Sequence, residues 1–282
     1  MNIKDSQIQS TKSSPFGGVR GGFAALSFFT RLPFWKLTNL DKEHYERVVP
    51  LWPLVGYLTG GIMALVAWLT FSLPVYTSVI LCLIIRVLVT GALHEDGFAD
   101  FCDGFGGGTT RQRTLEIMKD SHIGTYGVLG LILYFLLQAS TLSSIMTALD
   151  NPLLIAAFII TADVFCKWTS STIIYFLPYA RKEEEAKNRL IYKEVKWSEK
   201  IISLFIGILP LLILLLLSIF HFPLSIPHLS VPLIIASTAS ILTAVYLFHL
   251  MNRKIQGYTG DCCGATFIIT EAVFYFIFSC VI

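Results

Sequence analysis

The sequence predicts an all-α, polytopic membrane helix bundle of about seven transmembrane helices with added interfacial helices. Three observations carry this. Of 282 residues, 54% are hydrophobic and only 14% are charged, whereas a soluble domain carries roughly 25% charge. The apolar residues gather in runs near or above the ~20 residues that cross a bilayer. Lys and Arg are confined almost entirely to alternate connections between those runs, as in a chain threaded back and forth through a membrane.

Residues 1–22 are polar and rich in Ser and Gly, without the apolar core of a cleavable signal peptide, and are expected to form a disordered tail. Residues 23–282 are expected to form a single integral membrane catalytic domain. Phe23–Trp35 is apolar but short, and Arg31 and Pro33 interrupt it, so it reads as an interfacial or re-entrant helix. Spans follow at about Val48–Leu73, Val75–Leu93, Gly124–Met146, Pro152–Phe176, Ile201–Phe220, Val231–Leu250 and Ala265–Ile282.

The charges orient these spans. Seven Lys and Arg precede the first span, three lie between the second and third, seven between the fourth and fifth, and two between the sixth and seventh. The loops around Pro74, around Asn151 and at His221–Ser230 hold none; Arg86 and Lys167 lie inside spans. This asymmetry puts the N-terminus in the cytoplasm and the C-terminus outside. Every polar, Gly-rich or acidic segment then falls on the cytoplasmic face, as expected of an enzyme with a water-soluble reactant. The formal net charge of +2 selects no partner, and no basic stripe with interleaved aromatics points to nucleic acid. The six cysteines include no Cys-x-x-Cys pair, which argues against a zinc site or a disulfide framework.

The most informative stretch is His94–Gly104. Glu95, Asp96, Asp100 and Asp103 put four carboxylates in nine residues, directly after an apolar run. Carboxylates beside a bilayer are costly and usually serve a cation or a substrate. On a helix, Asp96, Asp100 and Asp103 fall at i, i+4 and i+7 on one face, with Glu95 roughly 100° from Asp96. Phe98, Ala99 and Phe101 make that helix amphipathic, lying at the interface. A solvated acidic loop is the plain alternative, but like charges so close repel unless a cation neutralises them. Three hard oxygen ligands on one face suit Mg²⁺, which bridges readily to phosphates.

Three more polar segments share the predicted face. In Gly104–Thr110, Gly106 and Gly107 are expected to offer backbone N–H groups to a phosphate; no Gly-Lys-Ser/Thr follows, so it is not a Walker loop, and a flexible turn is the alternative. Lys119–Gly127 supplies Lys119 as a cation for phosphate, Asp120 as a proton acceptor or ligand of a second ion, and hydroxyls such as Ser121 and Tyr126. Interface decoration is the plain reading there. Gly257–Ala265 carries Thr259, Gly260 and Asp261 before the last span. Asp261 is expected to complete the ion's shell, against the plain role of helix N-cap. Asp163 and Lys167, i and i+4 inside the fourth span, most simply neutralise each other. Glu271 is stranded in the last span, and Arg86 either sits deep or snorkels toward the cytoplasm. Glu183–Glu185, with lysines nearby, read as a solvated face.

Clustered Asp, Mg²⁺, Gly-rich backbone and nearby cations form an apparatus for phosphoryl or phosphodiester transfer. The run from Asp96-Gly97 to Asp103-Gly104 is similar in chemistry to the aspartate-rich motif of CDP-alcohol phosphotransferases, without the Arg after its Ala and without its spacing. A closer likeness covers most of the chain. The segments Phe28–Pro33, Pro53–Gly56, Gly91–Gly104, Lys119–Gly127, Leu177–Arg181 and Gly257–Ala265 resemble those of the cobalamin synthases, or adenosylcobinamide-GDP ribazoletransferases, in order and spacing. Glu95 and His122 depart from that family's pattern.

The resemblance implies transfer of the cobinamide phosphate of adenosylcobinamide-GDP to α-ribazole, or its 5′-phosphate, with GMP leaving. It implies a Mg²⁺ cofactor and a home in the cytoplasmic membrane of a prokaryote. Asp96, Asp100, Asp103 and Asp261 are then the candidate metal ligands and catalytic residues, with Lys119 and Asp120. His94, Arg31, Gly106, Gly107, Ser121, Tyr126, Arg181, Thr259 and Gly260 are the candidate substrate contacts. Homo-oligomer formation stays open. The rival readings are a CDP-alcohol-type membrane phosphotransferase and a cation-coupled transporter. A transporter is expected to carry polar groups along the depth of the membrane rather than at one surface.

Overall fold

The structure, a computed structural model, describes residues 18–181, 192–219 and 229–282. Among the described residues every regular element is helical, apart from an isolated parallel bridge between Tyr179 and Tyr258. The helices are α1 (Gly18–Phe29), α2 (Lys42–Glu46), α3 (Trp52–Leu69), α4 (Val75–Thr90), α5 (Leu93–Gly107), α6 (Arg111–Lys119), α7 (Thr125–Leu149), α8 (Pro152–Ser171), α9 (Ile173–Phe176), α10 (Trp197–Ile219), α11 (Ser230–Ile255) and α12 (Gly260–Val281). Six are long and apolar enough to cross a membrane, and α4 with α5 makes a seventh if the bent pair counts as one span. The chain is a multi-pass membrane protein.

Three boundaries differ from those expected. Gly18–Gly22, assigned to a disordered tail, open α1; residues 1–17 lie outside the described residues. The second span does not run straight to Leu93. It stops at Thr90, and the chain turns by 90° into α5. No proline marks the break. Gly91 and Ala92 both take left-handed backbone, with φ of 65° and 58°, a conformation free for glycine and costing roughly 1–2 kcal/mol for alanine. Arg31 holds this elbow from outside: its N–H donates to the Val89 carbonyl at 2.7 Å, and its side chain fills the place a Cβ on Gly91 would take. Finally, the last helix starts at Gly260 rather than Ala265, which brings Asp261 into its first turn.

Close backbone approach binds the centre of the bundle. On α3, Gly56 and Gly60 lie one turn apart and face α8. A Cβ on Gly56 would stand 2.7 Å from Val164 Cα, and one on Gly60 3.0 Å from Asp163 Cβ. Small residues at this spacing are a common helix–helix seam in membranes, where packing rather than water exclusion drives association.

The intramembrane charges are paired. Arg86 does not snorkel and Glu271 is not stranded. Arg86 Nη1 donates to both Glu271 oxygens, at 2.8 and 2.6 Å, and Nη2 donates to the Tyr134 hydroxyl. Gln138 Nε2 donates to Glu271 Oε2 at 2.8 Å, and Glu95 stands 3.6 Å from Arg86. This network ties α4, α5, α7 and α12 together. Asp163 and Lys167 form the expected pair, with Thr59 donating to Asp163 Oδ2 at 2.8 Å.

The polar connections meet at one end of the bundle. The Ala180 N–H donates to the Tyr258 carbonyl and the Tyr258 N–H to the Pro178 carbonyl, at 2.8 and 2.9 Å. Arg111 Nε donates to the Ile255 carbonyl at 2.9 Å, and the Lys193 N–H to the Glu46 carbonyl at 2.8 Å. Residues 182–191, with the Glu183–Glu185 run, and residues 220–228 lie outside the described residues.

Candidate functional site

A cavity of about 320 Å³ opens where α1, α3, α5, α8 and α12 converge beneath the 177–181 segment. Phe28, Phe29, Trp52, Val55 and Leu93 line it with His94, Asp96, Gly97, Lys167 and Ser170; Tyr179, Arg181, Tyr192, Gly260, Asp261, Cys263 and Gly264 complete the wall. It therefore combines aromatic rings, two carboxylates and two cations.

The sequence builds this meeting through glycine. A Cβ on Gly97 would stand 3.0 Å from Asp261 Cα, and one on Gly264 3.2 Å from the His94 carbonyl oxygen. Helices α5 and α12 thus cross at backbone contact, and Asp96 and Asp261 come to one cavity from distant parts of the chain. Thr259, not Asp261, caps α12: its hydroxyl accepts from the Cys262 N–H at 3.4 Å and also lies 3.4 Å from Asp261 Oδ2. Asp261 sits in the first turn, where the helix dipole favours an anion.

The other acids of α5 are placed differently. The helix forms as expected, so Asp96, Asp100 and Asp103 share a face. Asp100 is half-buried, has a partner and is not part of the cavity wall. Asp103 is buried, and its oxygens accept from the Gly124 and Gly127 N–H groups. Among the described residues no three His, Cys, Asp or Glu side chains are gathered as a metal cluster. The four-carboxylate shell expected from sequence is thus not assembled. Two carboxylates at the cavity still fit Mg²⁺, which commonly binds one or two protein carboxylates and fills its remaining positions with water and substrate phosphates.

His94 is buried between two rings, 6.1 Å from Phe29 in parallel stacking and 4.7 Å from Phe267. Arg181 is buried and donates through Nη2 to the Leu115 carbonyl at 3.0 Å. Burial raises the phenol pKa of Tyr179 and of Tyr192, so both remain hydrogen-bond donors at neutral pH. Gly260 borders the cavity with open space where its Cβ would be.

The remaining candidates lie away from the cavity wall. Gly106 and Gly107 do not form an anion-binding turn: α5 continues through both, and their N–H groups point along a helix whose C-terminal end disfavours anions. Tyr126 packs its ring against Gly106. Lys119, Asp120 and Ser121 are exposed at the end of α6. Asp120 Oδ1 accepts from the His122 N–H at 3.0 Å and meets its ring Nδ1 at 2.7 Å. That backbone bond, and then the ring, hold the Asp120 carboxyl below the usual carboxylate range. Arg31 props the elbow at Gly91. Sequence reasoning missed Lys167, Ser170, Trp52 and Tyr192. For Lys167 the signal was present, a charge within a span, but the i, i+4 acid accounted for it.

The cobalamin-5-phosphate synthase family model matches residues 21–279. The adenosylcobinamide-GDP ribazoletransferase of Shewanella baltica (strain OS185) is 36% identical over 254 residues, covering 90% of this chain and 91% of the relative. That of Shewanella oneidensis is 34% identical over 256 residues, covering 90% and 92%. No solved structure matches the chain.

Proposed function

The chain belongs to the cobalamin-5-phosphate synthase family, and from that premise we propose that it transfers the cobinamide phosphate of adenosylcobinamide-GDP to α-ribazole or its 5′-phosphate. The products are adenosylcobalamin, or its 5′-phosphate, and GMP, in the last steps of cobalamin biosynthesis. Beyond the family, the observation that carries the reading is the meeting of Asp96 and Asp261 on a cavity that also presents Arg181 and aromatic rings.

The acceptor hydroxyl oxygen bonds to the cobinamide-linked phosphorus and gives up its proton to solvent. The bond from that phosphorus to the bridging oxygen breaks, and GMP departs with the oxygen. Asp96 and Asp261 would hold Mg²⁺, whose chemistry is to clamp phosphate oxygens and neutralise charge developing on them. Arg181, anchored at Leu115, presents a planar fork that matches phosphate oxygens. Phe28, half-buried on the wall, offers aromatic surface against which a heteroaromatic base can pack.

The Lys and Arg distribution supports a cytoplasmic N-terminus and cavity and an external C-terminus, and the family resemblance implies residence in a prokaryotic cytoplasmic membrane. The test is GMP release by purified protein from adenosylcobinamide-GDP, with and without α-ribazole. Release that depends on α-ribazole and on Mg²⁺ is the expected result. Turnover of a CDP-alcohol donor in its place would overturn the assignment.

A further inference from the structure

We infer that Lys167, with Arg181 across the cavity, forms an anion subsite that receives an oxygen of the donor's diphosphate. The inference rests on the phosphoryl-transfer reading above. It assigns to a residue in the closing turns of a membrane-span helix the contact that the sequence pattern gives to Lys119.

Lys167 lies on α8 and lines the cavity, and the Ser170 hydroxyl, also on the wall, donates to the Lys167 carbonyl at 2.9 Å and so fixes this turn of the helix. The Lys167 side chain is 4% exposed. Its ammonium pairs with Asp163 one turn earlier and stands 4.0 Å over the Phe267 ring. An ammonium has three N–H donors. One goes to Asp163, and among the described residues no other hydrogen bond is made by the remaining two. A buried ion pair is weak support for a fold, since a well-packed apolar pair does as well or better. An ionisable residue inside the membrane instead marks function by default.

The cavity itself supplies the second argument. Asp96 and Asp261 place negative charge on one part of its wall. A diphosphate entering beside them needs cations as well, and the wall offers two, Lys167 and Arg181. Lys119 is exposed and absent from the wall. Asp163, fixed by Thr59, holds the ammonium in place rather than consuming all its donors.

Truncating Lys167 alone strands Asp163, so the test removes both charges. In Asp163→Asn/Lys167→Met the ion pair is gone without an orphaned partner. If Lys167 only neutralises Asp163, this double variant regains wild-type turnover. If it binds the diphosphate, kcat/KM for adenosylcobinamide-GDP falls about 100-fold or more, with unfolding temperature in detergent close to wild type. The loss must appear equally with α-ribazole and with α-ribazole 5′-phosphate. A loss confined to the phosphorylated acceptor would overturn the donor assignment.

Wild-type protein supplies a second measurement should the double variant not fold. Inorganic pyrophosphate should slow amidination of Lys167 by methyl acetimidate about tenfold, read by peptide mass spectrometry, by occupying the donors that face the cavity. Unchanged labelling overturns the subsite. Protection in a protein that releases no GMP would instead overturn the assigned reaction and leave the subsite standing.

Discussion

Asp103 closes the start of α7: one carboxylate oxygen accepts from the Gly124 N–H at 2.7 Å, the other from the Gly127 N–H at 2.9 Å. It thereby fastens the acidic helix α5 to the next long span. Asp103→Ala should cost about 1–2 kcal/mol of stability, the usual value of a lost cap, while the Mg²⁺ requirement stays. Thermal unfolding and a Mg²⁺ titration of GMP release check this. Lost turnover at unchanged unfolding temperature would make Asp103 a ligand instead.

Asp96 and Asp261 should behave oppositely. Asp96→Asn or Asp261→Asn is expected to lower kcat/KM by about 100-fold or more, with little change in stability. Chelation of divalent ions should silence the wild type, and Mn²⁺ should restore part of the variants' rate. Either variant turning over at the wild-type rate with an unchanged Mg²⁺ dependence would remove that residue from the ion's shell.

Arg86 and Glu271 test the buried network. Arg86→Met leaves Glu271 and Glu95 without their cation and should cost about 3–5 kcal/mol. Arg86→Met/Glu271→Gln should recover part of that loss, with Glu95 still without its cation. A double-mutant cycle on unfolding temperature measures the coupling, and simple additivity would show that the pair does not stabilise the bundle.

Asp120 supplies a pH prediction. A carboxyl whose pKa is lowered on folding stabilises above the ordinary carboxylate range, and the contribution is lost as pH falls through the lowered value. From about pH 6 to 9 the group is ionised throughout, since even a free Asp titrates near 3.9. Asp120→Asn should therefore leave the shape of the pH–rate profile unchanged and the rate within about threefold over that range. A loss of tenfold or more, measured as GMP release, would bring the 119–122 segment onto the substrate.

The helical fold was legible because apolar runs and basic loops are strong, local signals. Asp96 and Asp261 were legible as a pair because each stands beside glycine at the end of a span on one predicted face. The elbow was not. Thr90-Gly91-Ala92 continues an apolar run, and the left-handed turn at Ala92 depends on Arg31 packing from outside. Gly106 and Gly107 misled for the converse reason: glycine permits a turn without requiring one, and contact with Tyr126 and α6 keeps the helix going. Glu271 looked stranded because its partner, Arg86, lies in a distant span. Lys167 looked satisfied because a helix-face pairing accounts for its charge without revealing the cavity on its other side.

The elbow at Gly91 also sets how the acidic helix reaches the cavity. With sixteen residues in α4, that helix rises only about 24 Å, less than the roughly 30 Å of hydrocarbon. The 90° turn sends the chain aside into α5, and the first turn of that helix carries His94 and Asp96 to the cavity wall. Both side chains are therefore aimed by one backbone joint. A side chain at position 91 would displace Arg31 and move the two as a unit.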